Sequence, residues 1–347
     1  MEFISVYSLF LAKITTVVIA ISALVLLAAS LGQRKNQQKG KLQITDLGET
    51  YREMQRIMKL SYMSPAEQKI WRKKFKKQAK SDGKIKKQGS KVNTIKINKP
   101  CLYVLDFQGS MDAREVNSLR EEISAVLAVA STQDAVLLRL ESPGGVIHGY
   151  GLAASQLERL RKKGIRLTVA VDKVAASGGY MMACVADSIV AAPFSIIGSI
   201  GVIAQIPNFY RLLKKNYIDV ELYTAGQFKR TLTLFGKNTE QRREKFQTDL
   251  NNTHELFKQF VYQHRPSLDI DSVSNGEHWF GIQAKEKGLI DEVGTSDDLI
   301  IAELDNYKVI SVRYMRRKRL IERFSCNITE SIDNLLLRWW QRGNNQI

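Results

Sequence analysis

The chain has 347 residues, 44% of them hydrophobic, and carries 52 Lys and Arg against 35 Asp and Glu, a formal net charge of +17. Such a length holds at least one large core and about two domains. The charge points first to nucleic acid or an anionic membrane. Its placement argues against nucleic acid: 20 Lys and Arg against 5 Asp and Glu fall between Arg34 and Lys99, and the remainder is near neutral with no basic stripe carrying interleaved aromatics.

Residues 9–31 form an almost unbroken apolar run. A bilayer-spanning helix needs about 20 such residues, and Lys13 lies near one end, where its stem reaches the interface. A cleaved signal peptide competes, but the run is long for an h-region and no basic n-region precedes it. The expectation is an uncleaved anchor over residues 1–33. Arg34, Lys35, Lys39 and Lys41 follow the span, so the positive-inside rule alone places the bulk of the chain in the cytoplasm.

Residues 34–99 read as a basic helical segment and linker. Leu47, Tyr51, Met54, Ile57, Met58 and Leu60 recur at helical spacing, and Ser64-Pro65-Ala66-Glu67 marks a fresh helix start. Residues 71–77 are basic with Trp71 and Phe75 one turn apart, which suits an anionic bilayer surface or a solvated helix alike. Residues 81–92 are rich in Lys, Gly, Gln and Ser and read as a linker.

From Cys101 strand and helix patterns alternate. Residues 102–107, 135–140, 167–171 and 188–192 read as strands, and 116–129 and 149–162 as helices. The repeat predicts an α/β fold with a largely parallel sheet, and both glycine turns, 141–145 and 177–179, follow strands, on the edge where such sheets place their sites. Residues 184–206 are apolar enough to suggest a second span. Asp187, Pro193, Gly198 and Gly201 break them instead into two short strands around a turn.

In Val174-Ala175-Ala176-Ser177-Gly178-Gly179-Tyr180 a strand hands over to a helix at Ser177. A serine there is placed to attack a carbonyl while the N–H of Gly178 receives the oxyanion; an ordinary turn with a serine N-cap fits the same residues. None of His148, His254, His264 or His278 is placed like a triad base. A lysine that burial has deprived of its proton is the other activator of a serine, and Lys229, after a strand expected at 220–223, is the candidate. Cys101, Cys184 and Cys326 show no metal spacing and no disulfide framework.

Four segments in order carry a resemblance: Ser142-Pro143-Gly144-Gly145, Ala176-Ser177-Gly178-Gly179-Tyr180, Gly198-Ser199-Ile200-Gly201-Val202 and Gly226-Gln227-Phe228-Lys229. Trp279 to Ala284, with Gly288-Leu289-Ile290-Asp291, closes the pattern. Together they resemble the signal peptide peptidase SppA family of Ser-Lys peptidases, most of all its SohB branch, over residues 101–293. The resemblance implies a ClpP/crotonase-like core at residues 100–300 and a serine endopeptidase acting on membrane-derived or unfolded peptides without metal or cofactor. It makes Ser177 the nucleophile, Lys229 the general base, Ser199 the hydroxyl that holds the base, and Gly145 and Gly178 the oxyanion donors. It also implies a ring-like homo-oligomer, with Ser and Lys from neighbouring protomers, and a place in the bacterial inner membrane with the catalytic domain in the periplasm, against the charge bias above.

Residues 301–347 form a basic amphipathic C-terminal segment. Arg313, Arg316, Arg317, Lys318 and Arg319 precede a helix expected at 328–340, whose apolar side and Trp339-Trp340 suit a membrane interface or a protein neighbour equally. Two rival functions use the same fold: a crotonase-like acyl-CoA enzyme, which leaves the anchor and the Ser177–Lys229 pair unexplained, and a non-catalytic membrane scaffold.

Overall fold

The structure, a computed structural model, describes residues 13–18, 40–71, 73, 99–226 and 228–316. The expected anchor (save an exposed helical turn at 13–18), most of the basic run after Trp71, the linker at 81–92 and the C-terminal helix at 328–340 lie outside these residues. Among the described residues no helix is long and apolar enough to cross a membrane. Residues 42–314 form one compact unit.

The first elements are β1 (Lys41–Asp46) and α1 (Leu47–Ser61). Asp46 caps α1 by accepting from the Glu49 N–H at 2.9 Å. The start expected at Ser64 is present as a reciprocal cap, with the N–H and hydroxyl of Ser64 both donating to the Glu67 carboxylate. The alternation then follows as β2 (Cys101–Gln108), α2 (Val116–Val129), β3 (Ala135–Glu141), α3 (Ile147–Lys162) and β4 (Arg166–Val171). After it come β5 (Val174–Ala176), α4 (Gly178–Ala183), β6 (Ser188–Ala191) and β7 (Ile196–Gly198). The remainder holds α5 (Tyr210–Lys215), α6 (Glu240–His264), α7 (Ile270–Val273), β8 (His278–Phe280), α8 (Gly281–Glu286), β9 (Glu292–Val293), α9 (Ser296–Glu303) and β10 (Lys308–Met315).

The main sheet runs β1-β10-β2-β3-β4-β6-β9, and each neighbouring pair from β10 onward is parallel. Its middle strands are buried on both faces, as a parallel sheet requires. Tyr103, Leu105 and Phe107 of β2 face one apolar cluster with Leu119 and Ile123 of α2 and Leu157 and Leu160 of α3. Leu102 and Val104 face the other, closed by Ile300 of α9 with Leu47 and Tyr51 of α1. The molecule is thus a mixed α/β fold with helices on both faces of a large parallel sheet.

Two sequence expectations need correction. The strand at 167–171 does not run on to Ser177. Asp172 is held by Ser296, accepting from its N–H and its hydroxyl, so the chain leaves the main sheet there. β5 joins β7 and β8 in a separate three-stranded sheet, parallel to β7, while β7 and β8 are antiparallel. Residues 220–223 form no strand; they are exposed, and no neighbouring strand pairs with them. Residues 184–206 contain β6 and β7 around a turn, so the described chain has no second span there.

Candidate active site

The small sheet brings the two glycine turns together. Ser142, just after β3, bridges to Ala175 of β5: its N–H donates to the Val174 carbonyl at 2.8 Å, and its carbonyl accepts from the Ala176 N–H at 3.0 Å. The next residues therefore lie beside Ser177. A Cβ on Gly144 would stand 2.7 Å from the Ser177 Cβ and 2.9 Å from the Gly178 nitrogen, and Gly144 has φ +91°, so both space and backbone demand glycine. On its far side Gly145 presses on the carbonyl of Met111, whose oxygen also accepts from the Val146 N–H at 2.9 Å. The loop after β2 thus braces the turn after β3.

Ser177 has φ 53° and ψ −119°, a backbone state that costs a non-glycine residue on the order of 1–3 kcal/mol. The surrounding structure imposes it: the Ser177 N–H donates to the Gly198 carbonyl at 2.8 Å, and Gly178 and Gly179 pack on the Tyr150 ring and the Ser142 carbonyl with no room for a Cβ. The N–H groups of Gly145 and Gly178 have no hydrogen-bond partner among the described residues, and Gly178 is buried. A buried donor without an acceptor, as at Gly178, is rare. With the half-buried Gly145 N–H beside the same strained, half-buried serine, it forms a place where a carbonyl oxygen can gain negative charge.

Ser199 sits directly across. It follows β7 as Ser177 follows β5, also has positive φ, and donates its N–H to the Glu277 carbonyl at 2.7 Å. Lys229 is placed differently. It lies on a largely exposed arm, residues 202–238, clasped by Asn208 donating to the Thr233 and Gly236 carbonyls and by Phe209 stacking on Phe235. Lys229 is exposed, its neighbour Phe228 is 47% exposed, and among the described residues the Lys229 ammonium has no hydrogen-bond or ion-pair partner. The burial expected of Lys229 is absent within one chain because Ile203 and the apolar residues of the arm also face outward. The single chain therefore joins Ser177, Ser199, Gly145 and Gly178, and leaves Lys229 on an exposed arm with outward-facing apolar residues.

Sequence reasoning missed Tyr150 and Gly109. Tyr150 is fully buried beneath Gly178, and burial raises the pKa of its phenol, so it stays protonated. Its signal was a tyrosine followed by the small and aliphatic residues 151–155 of its helix, which reads as core. Among the described residues no cluster of His, Cys, Asp or Glu is arranged to hold a metal ion.

Comparison with known proteins shows what the chain resembles. Residues 2–157 match the family model described as peptidase family S49 N-terminal, and residues 159–309 match peptidase family S49. The chain is 52% identical over 338 residues to a probable protease SohB of Haemophilus influenzae, covering 96% of this chain and 95% of that one. It is 56% identical over 333 residues to a probable protease SohB of Buchnera aphidicola subsp. Acyrthosiphon pisum, covering 96% of each. A putative signal peptide peptidase SppA of Enterococcus faecium is 32% identical over 168 residues, 48% of either chain.

Proposed function

Because the chain belongs to peptidase family S49 and is a protease, we propose that it is a membrane-anchored serine endopeptidase working through Ser177 and Lys229 on a ClpP/crotonase-like core. The observation that carries this reading is the strained Ser177, set against Gly144 and flanked by the N–H groups of Gly145 and Gly178, which have no partner among the described residues. In the reaction, neutral Lys229, held by Ser199, accepts the Ser177 proton as the serine oxygen bonds to the scissile carbonyl carbon. The N–H groups of Gly145 and Gly178 stabilise the oxyanion, each donor being worth about 3 kcal/mol in such sites. The carbon–nitrogen bond then breaks, Lys229 protonates the leaving amine, and water, deprotonated in the same way, hydrolyses the acyl-serine ester.

Lys229 reaches its place when a neighbouring protomer covers the apolar arm, which is why the enzyme is a ring-like homo-oligomer with pairs shared across interfaces. Outward-facing Ile203, Leu212, Ile218, Val220, Leu222 and Phe235 support this, because an exposed apolar surface of that extent normally has a partner. The peptidase domain at residues 100–300 is tethered through the basic segment 34–99 to an anchor at 1–33 in the inner membrane and faces the periplasm. Its substrates are membrane-derived or unfolded peptides. A fluorophosphonate probe tests the reading: it should label the detergent-solubilised wild type at Ser177 and leave Ser177→Ala unlabelled. A folded, unlabelled wild type would remove Ser177 from the chemistry.

A further inference from the structure

Tyr150 is 0% exposed, and a buried phenol needs partners for its hydroxyl. It has two. The hydroxyl donates to the Ser110 carbonyl at 2.9 Å and lies 2.6 Å from the Ser142 Oγ. A phenol has one proton and a carbonyl can only accept, so the Ser142 hydroxyl donates to the Tyr150 oxygen. The Ser142 Oγ in turn accepts from the Gly144 N–H at 3.1 Å. The bonds therefore run in one sense, from the Gly144 N–H through Ser142 and Tyr150 to the carbonyl of Ser110. The loop after β2 closes over this chain, since a Cβ on Gly109 would stand 2.6 Å from the Ser142 Oγ.

The ring makes a second contact. A Cβ on Gly178 would fall 2.7 Å from the Tyr150 Cδ2, so the ring lies flush beneath that peptide. Phe107 meets the ring edge-on at 6.4 Å and fixes its plane. One side chain thus reaches both halves of the oxyanion site, the turn through the Ser142 hydroxyl that it bonds and Gly178 directly through its ring. Ser142 also occupies the Gly144 N–H, which leaves that of Gly145 as the free donor of the turn.

We propose that Tyr150 is a positioning residue for peptide hydrolysis, holding the Gly145 and Gly178 N–H groups at the spacing that the oxyanion needs. This rests on Ser177 as the nucleophile. Tyr150 touches no substrate and moves no proton, and its effect is confined to the step in which charge reaches the carbonyl oxygen.

The test compares wild type, Tyr150→Phe, Ser142→Ala and the double variant as full chains, with active sites counted by fluorophosphonate labelling. Tyr150→Phe keeps the ring and removes the hydroxyl. Its kcat should fall roughly 10- to 100-fold per labelled site, less than or comparable to losing one donor outright, with KM nearly unchanged. A peptide aldehyde, which forms a hemiacetal oxyanion, should bind more weakly by a similar factor, while the midpoint of the pH–rate profile stays fixed. Ser142→Ala should show the same loss, and the double variant little more, because both break one chain of bonds. A kcat within twofold of wild type with aldehyde affinity intact, or losses that multiply in the double variant, would overturn the proposal. Should Tyr150→Phe fail to fold, kcat and aldehyde affinity of Ser142→Ala decide alone. A wild type unlabelled at Ser177 sinks the nucleophile and this proposal together, whereas a labelled wild type with an unaffected Tyr150→Phe sinks only this one.

Discussion

Ser177 and Ser199 leave two paired strands side by side: Ala176 stands opposite Gly198, the Ser177 N–H donates to the Gly198 carbonyl at 2.8 Å, and both serines have positive φ, 53° and 51°. Two non-glycine residues in this state at adjoining positions are expensive for a fold. Both hydroxyls are thereby turned away from the course their strands would otherwise give them.

The strain at Ser177 is measurable. Ser177→Ala should abolish peptide hydrolysis and unfold in urea close to wild type. Ser177→Gly should be equally inactive and more stable than the alanine variant by about 1 kcal/mol, because glycine occupies this backbone state without penalty. Urea midpoints in that reversed order would show that the turn is relaxed.

Lys229→Arg should be as inactive as Lys229→Ala while keeping its circular dichroism and oligomeric state, since a guanidinium does not give up its proton. Protomers of Ser177→Ala mixed with Lys229→Ala should recover part of the activity, as some interfaces then hold one intact pair. Near wild-type turnover by the arginine variant would take Lys229 out of the mechanism, and no recovery in verified mixed oligomers would put the pair inside one protomer.

Glycines 144 and 151 should respond in opposite directions. Gly144→Ala forces a Cβ onto Ser177 at φ +91°, so activity should fall at least 100-fold and stability by roughly 2 kcal/mol. Gly151, inside α3, has open space around its would-be Cβ, so Gly151→Ala should leave kcat/KM unchanged and raise stability by up to about 1 kcal/mol. Thermal unfolding and peptide hydrolysis on the two variants check both statements.

Glu122 sets a pH window for stability. Burial raises its pKa from 4.5 to about 7, and nearby Asp106 pushes the same way. The Tyr314 N–H, which donates at 2.6 Å, and Arg313 oppose the shift. Between these two values the folded chain binds more protons than the unfolded one. Stability is therefore full below the window and declines as pH rises through 7, by on the order of 2 kcal/mol. Asp106 and Asp291, lowered by Arg139 with Arg313 and by Arg265 once burial is offset, act at much lower pH and with the opposite sign. Glu122→Gln should match wild type at pH 5 and exceed it at pH 8 in urea unfolding. Equal midpoints at pH 8 would refute the window.

The central strands β2, β3 and β4 were open to reading because they are mostly apolar runs bounded by turns, and each appears within a residue of its expected limits; the order in which they pair was not. Helices α2 and α3, expected at 116–129 and 149–162, were equally legible. The small sheet was not, since β5, β7 and β8 hold three residues each, too few for a period to show. At the site, glycines announced the turns, but the Tyr150–Ser142 pair is a contact between residues whose types read locally as core and loop. Lys229 is exposed in the single chain although its segment is locally apolar, because an apolar run favours burial without fixing what supplies it.

Placing Ser177 on the small sheet divides the molecule by rigidity. Opening β5 would break its bonds to Ser142 and to β7, while the hydrogen bonds between β3, β4 and β6 of the main sheet stay intact. Amide exchange should therefore show two tiers, with the nucleophile turn opening by sub-global fluctuation and the main sheet only by global unfolding.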